Sequence, residues 1–274
     1  MTVPTITLND GTTIPQLGFG VFKVEPEDTE RVVSDALEVG YRHIDTAKAY
    51  NNEAGVGRAI AASGIPRNEL YVTTKLWNAD HGSEEALAAI DRSLGELGLD
   101  HVDLYLIHWP SPQRGLYVES WVALEAIQAA GKATSIGVSN FKPHHLQDVL
   151  DVATVVPAVN QIEFHPYFQQ RDVAEFNAQH GVVTESWSPL GQGQLVDEPV
   201  VTAIAEEHGK SLAQVILRWH VQLGHVVIPK SNHKARMAEN LDIFDFELND
   251  GELATITMLD RGGRLGADPD TATF

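Results

Sequence analysis

The chain has 274 residues, 43% of them hydrophobic, with 38 acidic and 19 basic side chains and a formal charge of −19 when histidines are neutral. A chain this long can bury one large core, but its negative field excludes a nucleic-acid binder or a protein drawn to anionic membranes, so any anionic ligand needs a local basic cluster. Cysteine is absent, which removes disulfides, thiolate nucleophiles and Cys-based zinc sites.

The N-terminal Met1-Thr2-Val3-Pro4-Thr5 has no basic region leading into an apolar stretch, and no apolar run is long enough to span a bilayer, so a soluble, cytoplasmic protein is expected. A hairpin is predicted between Ile6-Thr7-Leu8 and Thr13-Ile14, because Asp10-Gly11 suits a tight turn. Strand-like segments then begin near Leu17, His43, Tyr71, Val102, Thr134, Val159, Val182 and Val226, most of them 23 to 32 residues apart. That spacing is the length of a strand plus a helix. Residues 28–39, 83–97 and 120–130 carry Val, Ala, Ile and Leu at helical spacing, Ser83 precedes Glu84 and Glu85 as a helix start, and Gly40, Gly98 and Gly131 stand where C-terminal caps belong. The interval from Val182 to Val226 has room for two further helices, at 199–208 and 211–222. Several strands are apolar throughout, as in Val102-Asp103-Leu104-Tyr105-Leu106-Ile107, which fits a parallel sheet covered by helices. Eight such units without a linker predict an α/β fold. It is a single (β/α)₈ TIM barrel spanning 1–274, with an N-terminal β-hairpin and extra helices near the C-terminus.

Familiar nucleotide motifs fail. Gly18-Phe19-Gly20 reaches Lys23, and Gly191-Gln192-Gly193 reaches Val196, where a Rossmann fingerprint needs its third small residue. Gly209-Lys210-Ser211 has the ending of a P-loop, but Ile204 occupies its first glycine position. A glycine cap followed by Ser211 opening the next helix is the better reading.

In a barrel, chemistry sits at the carboxyl ends of the strands. Asp45 closes Tyr41-Arg42-His43-Ile44-Asp45, Lys75 closes Tyr71-Val72-Thr73-Thr74-Lys75, His108 follows Leu104-Tyr105-Leu106-Ile107, and Tyr50 lies five residues beyond Asp45. A tyrosine is a poor acid near neutral pH until a cation stabilises its phenolate, and that cation needs a carboxylate to stay charged in a dry cleft. Tyr50, Lys75 and Asp45 can form that relay, with His108 orienting a carbonyl oxygen. The attacking hydride would have to come from a cofactor. Three other readings use the same residues. Lys75 could be a Schiff-base nucleophile; His43, Asp45, His108 and His165 could hold a hydrolytic metal; or the barrel could sense nucleotides or bind a partner with incidental reductase chemistry. A buried ion pair or a satisfied core histidine is the plain structural explanation for any one of these residues.

These residues sit in segments that together resemble the aldo-keto reductase family over nearly the whole chain. They are Gly40-Tyr41-Arg42-His43-Ile44-Asp45-Thr46-Ala47 leading to Tyr50, Thr74-Lys75-Leu76-Trp77, Leu106-Ile107-His108-Trp109-Pro110, Ile136-Gly137-Val138-Ser139-Asn140-Phe141, Asn160-Gln161-Ile162-Glu163-Phe164-His165-Pro166 and Ile228-Pro229-Lys230-Ser231. The resemblance implies NADPH bound in extended form without a Rossmann domain, Tyr50 as general acid, and Asp45, Lys75 and His108 as its catalytic partners. It implies that Ser139, Asn140 and Gln161 hold the nicotinamide carboxamide, and that the Ser188, Pro189, Leu190, Gln192 and Gly193 segment straps the pyrophosphate. It further implies that Lys230, Ser231 and Arg236 hold an adenosine 2′-phosphate, with Glu239 and Asn240 at the adenine.

The charge pattern supports the last group independently, because Lys230, Lys234 and Arg236 place three cations within seven residues of an acidic chain. Trp187, at the end of the seventh strand, offers a flat face to stack on nicotinamide. Many family members have tyrosine there, and tryptophan resembles a bacterial subset that includes 2,5-diketo-D-gluconate reductases. Phe22, Trp77 and Trp109 follow the first, third and fourth strands as aromatic walls for a substrate. The segment 110–119 and the tail after Arg261 are short for the family, which implies an open mouth suited to aldehydes, dicarbonyls and keto-sugars. A monomer acting on a small carbonyl compound is expected, with no metal, nucleic acid or membrane partner.

Overall fold

The computed structural model describes residues 3–274. A hairpin of β1 (Thr5–Thr7) and β2 (Thr13–Pro15) turns at Gly11, whose φ of 86° explains the glycine. Its Leu8 and Ile14 pack with Tyr71, Leu104, Leu106, Val159 and Val226, and so plug the amino end of the barrel.

The barrel strands are β3 (Phe19–Gly20), β4 (His43–Asp45), β5 (Tyr71–Leu76), β6 (Val102–Ile107), β7 (Ala133–Ser139), β8 (Val159–Glu163), β9 (Val183–Trp187) and β10 (Val226–Val227), all parallel to their neighbours. The sheet closes through Leu17, which bridges Val227, with Gly18 N donating to Val227 O at 2.9 Å and Val227 N donating to Gln16 O at 3.0 Å. The eight strands and the hairpin are those expected, with every barrel-strand start shifted by two residues or fewer.

Helices α1 (Pro26–Val39), α2 (Glu53–Ser63), α3 (Ser83–Leu97), α4 (Tyr117–Ala129), α5 (Pro143–Leu150) and α6 (Arg171–Gln179) cover the sheet. The extra helices are α7 (Pro199–His208) and α8 (Leu212–Gln222) before β10, then α9 (Lys234–Leu241) and α10 (Asp250–Thr257). Gly209 ends α7 at φ 61°, and Ser211 caps α8 in a reciprocal box with Gln214. The P-loop-like triplet is therefore helix punctuation. Ser83 is the first residue of α3, and Gly82 at φ 123° takes the cap position instead. No helix among the described residues is long and apolar enough to cross a membrane.

Strand alternation decides what faces the barrel axis. Ile44, Val72, Leu76, Tyr105, Ile107, Ile136 and Val138 join the layer between sheet and helices. Tyr71, Leu104, Leu106 and Val159 fill the interior beside the plug. Nearer the carboxyl ends the same inward positions become Asp45, Lys75, Gln161 and Glu185, all buried. Gly137 in β7 permits this close interior, because a Cβ there would stand 2.5 Å from Val159 O.

Candidate active site

A cavity of about 870 Å³ opens at the carboxyl ends of the strands. Its wall includes Phe22, Asp45, Tyr50, Trp77, His108, Trp109, Ser139, Asn140, Gln161, Trp187, Ser188, Pro189, Leu190, Gln192 and Lys230. Lys75 is buried among these groups without reaching the wall. Gly193, Ser231, Arg236, Glu239 and Asn240 lie outside the wall, so the structure brings the chemical end together more fully than the predicted adenine end.

Lys75 Nζ donates to Asp45 Oδ1 at 2.7 Å and to Thr46 O at 2.9 Å, and it stands 5.2 Å from the centroid of the Tyr50 ring. Burial works against the Lys75 ammonium, but the Asp45 charge, Tyr50 and the hydrogen bond to Asp45 outweigh it and raise its pKa. Lys75 is thus a permanent cation. Burial raises the Tyr50 pKa while Lys75 pulls it down, and burial wins. Tyr50, Lys75 and Asp45 are brought together, and burial favours Tyr50 as a protonated phenol. His108 packs edge-on against Tyr50 and Trp77, with ring centroids 5.5 and 5.3 Å away. Burial, then the charge of Lys75, lowers its pKa well below the usual range, so His108 is neutral and suited to orient an oxygen rather than to protonate it.

The amides beside this group are already engaged. Asn140 Nδ2 donates to His108 O at 2.9 Å and to Ser139 Oγ at 3.1 Å, while Asn140 Oδ1 accepts from Trp187 Nε1 at 2.9 Å. Gln161 Nε2 donates to Asp45 Oδ2 at 2.8 Å and to Glu185 Oε2 at 2.9 Å. What remains open toward a ligand is acceptor capacity on the two amide oxygens.

The expected open mouth needs correcting, because the tail folds back across it. Glu163, a buried residue that sequence reasoning passed over, accepts from Leu265 N at 2.6 Å and Gly266 N at 2.8 Å. Gly266 lies so close to the indole of Trp187 that a Cβ would be 2.6 Å from Cη2. Lys142 Nζ then ties Asp268 and Asp270 at 2.5 and 2.6 Å. Phe274 stacks on Trp77 at 5.9 Å and meets Trp109 edge-on at 5.1 Å. No local pattern in the sequence announces these contacts between residues far apart in the chain.

The basic end also differs in detail. Lys234 is paired with Glu38 and Asp35 of α1 rather than standing free for a ligand. Lys230 and Arg236 make no ion pair among the described residues, and both are exposed. Lys23, which sequence reasoning missed, joins Lys230 on the cavity wall from a left-handed turn at φ 57°. Partial burial, then the charge of Lys23, lowers the Lys230 pKa. Two neighbouring cations in a strongly acidic protein make a ready anion site. The only clue was the position of Lys23 just past the first strand.

The alternative uses of these residues lose support. Pairing with Asp45 keeps Lys75 protonated, which disfavours a Schiff-base nucleophile. His43 Nε2 is 3.1 Å from Thr73 Oγ1 and His165 Nε2 is 3.0 Å from Glu163 Oε1, so the proposed metal quartet does not converge. The one group of three with ligand atoms within 4.8 Å of one another among the described residues is His144, His145 and Asp270, none of which lines the cavity that holds Asp45.

A profile of the Aldo/keto reductase family matches residues 16–261. The chain belongs to the aldo-keto reductase family. As an aldo-keto reductase it is an oxidoreductase acting on small carbonyl compounds. It is 53% identical over 274 residues to an aldo-keto reductase of Mycobacterium sp. (strain KMS), covering 100% of this chain and 99% of that protein. A morphine 6-dehydrogenase of Pseudomonas putida is 50% identical over 288 aligned positions, covering 99% of this chain and 97% of its own. Among solved structures, a mutant of Gox0644 in complex with NADPH matches with a TM-score of 0.96 and 46% identity, covering 100% of both chains.

Proposed function

We propose that this aldo-keto reductase uses NADPH to reduce small polar aldehydes, dicarbonyls and keto-sugars, 2,5-diketo-D-gluconate among them, with Tyr50 as the general acid. The observation that carries the reading is the buried Asp45–Lys75 pair, 2.7 Å apart, beneath Tyr50 and His108 in a cavity that also reaches Lys23 and Lys230. The residues present fit the cofactor, since the indole of Trp187 offers a flat face and the two lysines offer an anion site within one cavity. The Gox0644 complex supports the same choice.

NADPH, when bound, supplies the hydride that adds to the carbonyl carbon. His108, neutral, orients the carbonyl oxygen. Tyr50 O–H gives its proton to the developing alkoxide, and the Lys75 charge stabilises the phenolate left behind. Asp45 holds that charge in place. The Trp187–Asn140–His108 hydrogen bonds link the proposed nicotinamide platform to the backbone of the orienting histidine. Solvent restores the Tyr50 proton after the alcohol leaves.

The aromatic lid of Phe274 over Trp77 and Trp109 narrows the mouth, so a compact substrate suits the pocket. Trp187, in place of the tyrosine common in the family, supports the bacterial keto-sugar-reducing subset.

The cofactor half of this reading is tested at the exposed Arg236. Arg236→Ala is expected to weaken NADPH about tenfold, as loss of a solvent-screened charged hydrogen bond should, while NADH affinity changes little. Equal loss for both cofactors in a fluorescence titration would remove the 2′-phosphate assignment.

A further inference from the structure

Beside the catalytic pair lies a second carboxyl that the mechanism above does not use. Glu185 has no solvent-exposed surface, and its neighbours are set by the inward face of the barrel. Its Oε2 accepts from Gln161 Nε2 at 2.9 Å, and the same nitrogen donates to Asp45 Oδ2 at 2.8 Å. One amide therefore bridges two buried acids. The titratable groups facing Glu185 are Asp45 and His43 on β4, Tyr71 and Lys75 on β5, and Tyr50 beyond β4. His43 Nε2 is 3.8 Å from Glu185 Oε1, but burial pushes the His43 pKa down to about 3, so it brings no charge. β10, the other strand beside β9, contributes only Val226 and Val227 opposite Glu185 and Ser186.

Charge counting in this dry layer is restrictive. Lys75 is the only cation among those groups, and it is already spoken for by Asp45 at 2.7 Å. A charged Glu185 would leave an uncompensated anion, with Oε1 lacking any hydrogen-bond partner among the described residues. We infer that Glu185 is a positioning residue that stays a neutral acid during turnover: it joins Asp45 in taking both amide hydrogens of Gln161, which turns the Gln161 oxygen away from the acids, and it leaves the Asp45–Lys75 pair electrically balanced under Tyr50. Burial, then the Asp45 charge, pushes the Glu185 pKa up to about 8, in keeping with that role. The inference rests on the reading of Tyr50, Lys75 and Asp45 as the catalytic group.

The direction of the pH effect follows. Above about pH 8, ionised Glu185 raises the Tyr50 pKa and makes the phenol a weaker acid. Wild-type kcat/KM for carbonyl reduction is expected to fall several-fold through a limb near that pH, and Glu185→Gln, which keeps an acceptor for Gln161 but cannot ionise, is expected to lose the limb.

Stability changes in the matching sense. A native carboxyl with a raised pKa binds more protons than the unfolded chain between the ordinary carboxylate range and its own pKa, so wild-type stability falls across that window and E185Q lacks the slope. Because a structural role alone could produce the stability difference, the rate profile decides. Tyr50→Phe is measured in parallel. If Tyr50→Phe keeps normal turnover, the catalytic reading fails and the inference falls with it. If Tyr50→Phe loses turnover while E185Q retains the wild-type limb, only the inference is overturned. Infrared spectra of the wild type give a readout that does not depend on the variant folding: a protonated carboxyl band should persist at neutral pH and disappear above about pH 8, and its absence at neutral pH would contradict a neutral Glu185.

Discussion

Tyr50→Phe is expected to lower kcat and kcat/KM for carbonyl reduction by about 10²–10⁴-fold, the usual worth of a positioned general acid, while leaving NADPH affinity close to that of the wild type. The substitution removes the phenolic O–H and keeps the ring. That ring packs against Phe22 at 5.1 Å and His108 at 5.5 Å, and both contacts survive in phenylalanine. The loss should therefore fall on chemistry rather than on the shape of the pocket. Equal losses in kcat and kcat/KM mark an interaction made only in the transition state. A raised KM with unchanged kcat would instead make Tyr50 a binding residue, and normal turnover would remove its assignment. His108 cannot substitute as donor, because burial and Lys75 keep it neutral.

Lys75→Met is expected to cost a comparable factor in turnover and also to destabilise the fold. Two effects combine. The phenolate that forms at Tyr50 loses the nearby cation, and Asp45, 2% exposed, is left without its partner. Breaking a buried pair from one side typically costs about 3–5 kcal/mol. Adding Asp45→Asn removes that stranded charge, so the double variant should regain much of the melting temperature without regaining turnover. Near-normal activity in Lys75→Met would show that another group stabilises the Tyr50 phenolate, and recovered activity in the double variant would assign Lys75 a purely structural role.

Much of the barrel was legible because its signals are local. The repeat of strand and helix, the Asp10-Gly11 turn and the glycine caps at Gly40 and Gly98 each depend on a few neighbouring residues. The positions of Asp45, Lys75 and His108 followed from the rule that barrel chemistry gathers at strand ends. Glu185 carried a usable signal that went unread. It stands two residues before Trp187 and shares its inward face by strand alternation, yet attention to the strand end passed over it. Other features had no local signal. Lys234 looked like part of an anion site until the fold brought the acids of α1 beside it. The short tail after Arg261 implied an open mouth, but Glu163 and Lys142 draw it back across that mouth. The sign of the Tyr50 shift could not be read either, because it depends on how much burial opposes Lys75, and burial is a property of the assembled barrel.

The most direct measurement is the initial rate of cofactor oxidation by the purified protein, with NADPH and NADH in parallel, against small aldehydes, α-dicarbonyls and 2,5-diketo-D-gluconate. Carbonyl-dependent oxidation that favours NADPH, fastest with the compact polar substrates, is the predicted result. Tight NADPH binding without turnover across the panel would contradict it and favour a sensing or partner-binding barrel, and failure to bind either cofactor would contradict the NADPH-dependent mechanism altogether.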